Sequence, residues 1–245
     1  MVRKVDYESR RKQVLAATIN KHIADAEPVS SEDIAREFDL SPATIRNIFV
    51  ELEETGYLTH PYTSGGRLPT NKGYRYYVDF LISQMELFDK EKNQIVKEYE
   101  KEMKKLDDTL EKTSEIISQI THYAGIVSFL EWQDKLFYKG MSFILEQPEF
   151  QNLEKMRLLI KMIEDKQRLL NIINRDFDGK SRVYIGSELG CPEMNSCSLV
   201  VSGYRRKNRP SGRLAVLGPM RMEYRHIIPS LEYISDVLSE FLDSI

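Results

Sequence analysis

Apolar residues at helical spacing mark three successive segments at the start of the chain. In the first segment, residues 7–24, they are Val14, Leu15, Ile19 and Ile23. This spacing predicts an amphipathic helix with one buried face. Glu27-Pro28 is expected to end the helix, because proline lacks an N–H donor and restricts the residue before it.

The second and third segments have helix-capping residues before their apolar positions. Ser30 or Ser31 can cap a short helix whose inward positions are Ile34, Ala35 and Phe38. Ser41 can cap the third helix, Pro42 suits its first position, and Gly56 is expected to end it. Its inward positions are Ile45, Phe49 and Leu52, with Ile48 beside them. A short turn joins these two helices, which is the pattern of a helix-turn-helix.

A segment without any carboxylate follows the third helix. Tyr57-Leu58-Thr59 leads into HPYTSGGRLPTNKGYRYY, residues 60–77, in which Ser64-Gly65-Gly66 permits a tight turn with positive φ. A helix-turn-helix followed by a hairpin predicts a winged helix. Tyr74 and Tyr77 are expected to pack the wing on the helices.

Residues 84–121 contain no Gly or Pro and alternate three- and four-residue apolar steps. The positions are Val96, Tyr99, Met103, Leu106, Leu110, Thr113, Ile117 and Ile120. They predict either the seam of a dimeric coiled coil or an amphipathic helix packed on its own domain. In the first case the dimer contacts would be Val96, Tyr99, Met103, Leu106, Leu110 and Ile117.

From residue 123 onward the pattern mixes strands and helices. YAGIVSFL, RVYIG, SCSLVVSGY and GRLAVLG are typical of strands. Residues 149–176 and HIIPSLEYISDVLSEFL predict helices, the latter with Pro229 in its first turn. The fold class is therefore α+β. It comprises a winged helix-turn-helix at 1–79, a long helical linker at 80–122 and an α+β domain at 123–245.

The overall composition is that of a globular protein and gives little support to nucleic-acid binding. The 245 residues are 41% hydrophobic and 30% charged, with a net charge of −3, so a DNA-binding function has to rest on local charge. A charged start and the lack of a long apolar run predict a cytosolic protein. Cys191 and Cys197 form one C-x5-C pair, and the histidines are scattered, so we expect reduced thiols, no zinc site and no cofactor.

The first half of the predicted recognition helix and the wing carry only positive charges. Arg46 is the only charge between Leu40 and Val50, and Arg67, Lys72 and Arg75 are the charges between 55 and 78. Arg67 is expected at the wing tip, where it can reach a phosphate or the minor groove, with Lys72 and Arg75 as further phosphate contacts. Acids return on the third helix, in the half expected to point away from DNA, at Glu51, Glu53 and Glu54.

Four residues of the third helix suit contacts in the major groove. Arg46 can pair with guanine, Asn47 with adenine, and the methyl group of Thr44 can touch thymine. Ser41 and the first free N–H groups of the helix suit a phosphate. Arg46 has an alternative role as a phosphate clamp or in a surface salt bridge to Glu51.

Several stretches of the chain closely resemble the HrcA-type heat-inducible transcription repressors. They include EPVSSEDIAREFDLSPATIRN, HPYTSGGRLPTNKGYRYYVD, SCSLVVSGY and GRLAVLGPMRMEYRHII. The resemblance implies a GAF-like second domain, repression of chaperone operons through an inverted-repeat operator, and a dimer whose activity depends on heat and the GroE chaperonin. It places Ser41, Thr44, Arg46 and Asn47 on the recognition helix, and Arg67, Lys72 and Arg75 on the wing.

The chain also departs from the family pattern. Family members contain a dimerising insert within the GAF-like domain, and YAGIVSFLEWQDKLFYKGMSFILEQPEF leaves no room for it. This departure shifts the expected dimer contact toward residues 84–121. Ile48 replaces a usually acidic residue and Gly65 a usual alanine, so the operator preference is expected to differ.

Three other functions remain open at this point. The GAF-like domain could sense a small metabolite, which would make the chain a metabolite-responsive regulator. The wing could instead bind a protein. An enzyme in the second domain would have to use Cys191, Cys197 or His226, and no partner base lies at a recognisable spacing from them.

Overall fold

The computed structural model describes residues 2–61, 66–82, 89–99, 106–130, 135–207 and 209–244. The chain divides into two compact units, Met1–Ser83 and Gln84–Ile245.

The first unit is a winged helix-turn-helix followed by one more helix. Its elements are α1 (Val2–Asp25), α2 (Ser31–Phe38), α3 (Pro42–Glu54), β1 (Leu58–Thr59), β2 (Leu68–Pro69) and α4 (Asn71–Ile82). β1 and β2 pair antiparallel, and Val29 forms a single bridge with Arg67 beside them. The predicted winged helix is thereby confirmed, but the chain turns into α4 two residues after β2.

Local capping explains where α2 and α3 begin. The Ser30 hydroxyl accepts a bond from the Asp33 N–H at 3.2 Å, and that of Ser41 accepts one from Thr44 at 3.1 Å. Such caps satisfy N–H groups that have no partner within the helix. The buried apolar residues of this unit include the predicted inward positions Val14, Leu15, Ile19, Ile34, Ile45, Ile48, Phe49 and Leu52, together with Tyr74 and Tyr77.

The second unit is an α+β domain built on one antiparallel sheet. Its helices are α5 (Asp89–Tyr99), α6 (Leu106–Thr121), α7 (Met141–Leu145), α8 (Leu153–Glu164), α9 (Lys166–Ile173) and α10 (Tyr224–Ser244). Its strands are β3 (Ala124–Phe129), β4 (Leu136–Lys139), β5 (Ser181–Ile185), β6 (Cys197–Arg206) and β7 (Arg209–Pro219). The strand order is β4-β3-β7-β6-β5. The predicted fold class, with a shortened GAF-like second domain, is confirmed.

Two groups of helices pack against the sheet of this domain. One apolar core joins α8 and α9 to alternate residues of the strands, such as Leu199, Val201, Ala215 and Leu217. Alternate strand residues point to opposite faces, and α6 and α10 pack on β3 and β6. Among the described helices none is both long and apolar enough to cross a membrane.

Three details of this unit differ from the sequence prediction. The helix predicted over 149–176 is two helices, because Asp165 ends α8 and caps α9, its side chain accepting from the Arg168 N–H at 3.1 Å. Pro229 lies beyond the first turn of α10, since that helix already begins at Tyr224. β4 and α7 were not predicted, because neither short segment has a clear apolar period.

Much of the predicted helical linker is packed into the second unit. Leu110 and Ile117 of α6 are fully buried, and α6 lies against β3 and α10. This supports the packed amphipathic helix for α6. On α5, Ile95 is buried and Val96 is only partly covered. Met103 and the side chain of Tyr99 lie outside the described residues, and a dimer contact along this segment stays a prediction.

Candidate nucleic-acid interface

The helix α3 buries one face and leaves an opposite stripe exposed to solvent. Ile45, Ile48, Phe49 and Leu52 are buried in the first unit. The exposed stripe, at positions i, i+3, i+4 and i+7, consists of Ala43, Arg46, Asn47 and Val50. A stripe of this kind is what a recognition helix presents to base edges in the major groove.

The sequence analysis missed two members of this stripe, Ala43 and Val50. Thr44, which it expected to contact DNA, is less exposed than the stripe. Ala43 and Val50 are exposed, Val50 to 45%, and apolar groups there suit thymine methyls. Their spacing from Arg46 could have identified them. Thr44 is partly buried, and its hydroxyl lies 2.8 Å from that of Ser41.

The guanidinium of Arg46 is paired with α2. Its Nη2 lies 2.9 Å from Oε1 of Glu32, and its Nε donates to the Ser31 hydroxyl at 3.2 Å. The bond from Arg46 is the main reason why the pKa of Glu32 is lowered. The predicted alternative partner, Glu51, instead accepts a bond from the Tyr7 hydroxyl at 2.7 Å. Arg46 thus takes part in a surface salt bridge, but with Glu32 and not with Glu51.

Arg67 lies at the base of the wing and not at its tip. Its backbone N–H and C=O both bond to Val29, at 2.8 and 2.9 Å. Its Nη2 lies 2.9 Å from Oε2 of Glu53, and only 19% of its side chain is exposed. Residues 62–65, including Ser64 and Gly65 of the predicted turn, lie outside the described residues.

Glu53 holds both ends of the wing to α3. One of its carboxylate oxygens contacts Nδ1 of His60, just after β1, and the other contacts Arg67, just before β2. Gly66 has a structural reason other than the predicted positive φ: a Cβ there would lie 2.7 Å from the backbone of Pro28 and Val29. Glycine is therefore needed at this position, because two segments of the backbone approach each other closely there.

Lys72 and Arg75 belong to α4 and not to the wing. The Nζ of Lys72 donates to the Thr55 carbonyl at 2.7 Å and lies 4.5 Å from the centre of the Tyr57 ring. Arg75 lies 3.5 Å from Asp79 on its own helix. The wing prediction overlooked that the Thr70 hydroxyl accepts from the Gly73 N–H at 3.1 Å, which starts a new helix there.

Comparison with known proteins identifies the family. Residues 7–79 match the family described as "Winged helix-turn-helix transcription repressor, HrcA DNA-binding", and residues 128–228 match "HrcA protein C terminal domain". A protein of Desulforudis audaxviator (strain MP104C), named "Heat-inducible transcription repressor HrcA", is 30% identical, with 97% of this chain and 98% of that protein covered. The chain belongs to the HrcA family. It is a winged-helix DNA-binding transcription repressor.

A second relative and a solved structure also match nearly the whole chain. The protein of the same name from Carboxydothermus hydrogenoformans is 28% identical to this HrcA-family chain over 96% of the chain and 98% of that protein. A crystal structure of a hypothetical protein at 2.2 Å resolution shares the fold, with a TM-score of 0.79, 18% identity and coverage of 96% and 98%. The two sequence alignments span 340 and 335 positions. Those HrcA proteins therefore contain many residues opposite gaps in this 245-residue chain.

The second unit of this HrcA-family chain holds the residues considered for catalysis. Cys191 and Cys197 are free and buried. Burial raises the pKa of Cys197 to about 12, and burial followed by the nearby Glu193 raises that of Cys191. Raised pKa values keep both thiols protonated near neutral pH, and thiols are poor nucleophiles. His226 lies 2.7 Å from Glu91 on α5. No group of metal-ligating side chains occurs among the described residues.

Proposed function

We propose that this protein represses chaperone operons by binding an inverted-repeat operator as a dimer in the cytoplasm. The observation that carries the proposal is the exposed stripe of α3, which presents Arg46 and Asn47 on a helix whose opposite face is buried. The relatives' name, heat-inducible transcription repressor, supports heat-shock genes as the target.

The DNA contacts proposed for the first unit follow from the chemistry of its side chains. Arg46 pairs with guanine after leaving Glu32, Asn47 pairs with adenine, and Val50 touches a thymine methyl. Ser41 lies at the N-terminus of α3, where a phosphate is favoured. Arg67, Lys72 and Arg75 supply positive charge beside the helix, and their pairing with Glu53, the Thr55 carbonyl and Asp79 holds them in place.

Regulation is proposed to act through the second unit. An inverted repeat requires two copies of the chain, and the partly covered face of α5 around Val96 is one candidate contact. We infer that the GroE chaperonin keeps the repressor active and that heat removes this support. The two buried thiols are poor candidates for a catalytic nucleophile in this unit.

Selection of bound fragments from random duplex DNA tests the proposal. The full chain, with and without GroE chaperonin, should enrich an inverted repeat, and chaperonin should increase the yield after heating. If two copies contact about six to ten phosphates, affinity should fall by about 10³–10⁵ between 50 and 200 mM salt. Equal affinity for single-stranded and duplex DNA, or enrichment of no common motif, would contradict it.

A further inference from the structure

A cavity of about 780 Å³ lies in the second unit at the edge of the sheet. β5 pairs with β6 only as far as Ser181 opposite Ser202. Beyond that pair, residues 203–205 line the cavity together with Phe177 and residues of α10. Cavities of this size are usual for small-molecule sites.

Arg213 is a mostly buried charge in this cavity. It lies opposite Gly203 on the neighbouring strand, and a Cβ at Gly203 would be 2.8 Å from its Nη1. The glycine therefore lets the guanidinium lie across β6. The guanidinium carbon also sits 5.0 Å from the centre of the Phe177 ring, an arrangement that arginine adopts readily.

The described residues offer this guanidinium few ion pairs or hydrogen bonds to balance its buried charge. Only 14% of the Arg213 side chain is exposed, and its ion-pair neighbour in the described chain, Asp176, is 4.0 Å away and fully exposed. The Nε is buried, and no described residue accepts a hydrogen bond from it. Because buried charges are normally paired, this geometry favours an anionic group within the cavity.

The part of the cavity lining that α10 contributes is acidic. It presents four carboxylates of α10, namely Glu232, Asp236, Glu240 and Asp243. Three of them have local partners: Ser181 donates to Glu232 at 2.5 Å, Lys180 to Asp236 at 3.1 Å, and the Lys207 N–H to Asp243 at 2.5 Å. Within the described chain Glu240 has no such partner.

We propose that this cavity binds a small zwitterion, with its carboxylate on Arg213 and its ammonium group at Glu240. The arginine fork matches a carboxylate in a bidentate manner, while the acids of α10 disfavour polyanions such as nucleotides. The Phe177 ring supplies an apolar surface beside the guanidinium. Free amino acids and dipeptides share this chemistry, and the volume accommodates either.

Calorimetric titration of the full chain, without DNA, tests the proposal. The twenty common amino acids and their glycyl dipeptides are titrated first, which separates the two sources. For the strongest binder, analogues lacking either the ammonium or the carboxylate are compared, as 4-methylpentanoate and 3-methylbutylamine are for leucine. We expect at least one zwitterion to bind and both analogues to bind at least tenfold more weakly.

Variants place the ligand within the cavity. Arg213→Met should abolish binding, Glu240→Gln should weaken it severalfold, and Glu188→Gln, outside the cavity, should leave it unchanged. Gly203→Ala, which displaces the guanidinium, should weaken binding even if Arg213→Met fails to fold. Absence of binding by every amino acid and dipeptide would overturn the proposal, as would equal binding of the carboxylate-only analogue or full binding by Gly203→Ala. None of these results bears on DNA binding by the first unit.

Discussion

At the scale of single residues, the arginine best placed to read a base is held by its own protein. Arg46 is 63% exposed, yet it contacts Glu32 and Ser31 on α2. To pair with guanine it must leave that carboxylate. If Arg46 reads guanine as proposed, the free energy of leaving Glu32 enters the operator affinity.

Replacing Glu32 with Gln should strengthen operator binding. An exposed ion pair is a weak interaction, so its removal should raise the operator affinity by up to about fivefold, measured by fluorescence anisotropy. Glu37→Gln is the matched control, since Glu37 is an exposed acid of the same helix. A weaker operator complex for Glu32→Gln alone would mean that Glu32 positions Arg46 for DNA.

Replacing Arg46 with Ala should cost about 1–3 kcal/mol of binding free energy and relax the preference at one base pair. The reason is the loss of a bidentate contact in the major groove. Competition between operators mutated at each position measures both effects. Arg36→Ala, on the exposed surface of α2, controls for lost charge. Unchanged base preference would assign Arg46 to a phosphate.

At the scale of elements, Glu53 connects the wing to the recognition helix. Its carboxylate contacts His60 and Arg67, and it is only 18% exposed. Sequence reading placed this acid away from DNA and Arg67 at the wing tip. It could not find their pairing, because a contact between residues fourteen positions apart depends on how the hairpin folds back.

Glu53→Gln should loosen the wing while α3 stays folded. The free energy of unfolding should fall by more than the ~0.2–1 kcal/mol of an exposed ion pair. It should fall by less than the ~3–5 kcal/mol that breaking a buried pair costs. Hydrogen exchange should accelerate at the amides of Arg67 and Leu68, and DNA affinity should fall. Glu54→Gln, an exposed neighbour on the same helix, should change neither. Unaltered exchange at these amides would show that backbone pairing alone holds the wing.

The elements that sequence reading recovered are those with local signals. Ser30, Ser41 and Gly56 mark helix ends through their own caps and dihedral angles. β6 and β7 each contain a short apolar run, 199–201 and 214–217. Asp165 and Thr70 also cap helices, α9 and α4. They were not recognised, because the apolar period around Asp165 predicted one continuous helix and the cations around Thr70 predicted a wing. β4 is stabilised by pairing with β3, and its own sequence is too short to predict it.

At the scale of the whole molecule, the DNA-binding unit is not basic. Residues 1–83 contain 11 Lys and Arg against 12 Asp and Glu, and the cations proposed to touch DNA are paired with carboxylates or a carbonyl. Non-specific attraction to DNA should therefore be weak. In the proposed dimer, the second copy on the operator would supply the missing affinity.

Lysine substitutions on α5 and α6 separate dimerisation from folding. Leu110 is fully buried in its own unit, so Leu110→Lys should lower the melting temperature markedly, since a buried unpaired charge is strongly destabilising. Val96 is only partly covered. If α5 carries the dimer contact, Val96→Lys should give monomers by light scattering with a nearly unchanged melting temperature.

Gln94→Lys adds the same charge at an exposed position of α5 and should leave both measurements unchanged. The comparison is informative because Leu110 and Val96 were predicted from one apolar pattern, yet only the former is buried within its own domain. A folded dimer that survives Val96→Lys would exclude this part of α5 as the contact. The two operator-bound copies would then have to meet through another surface of the second unit.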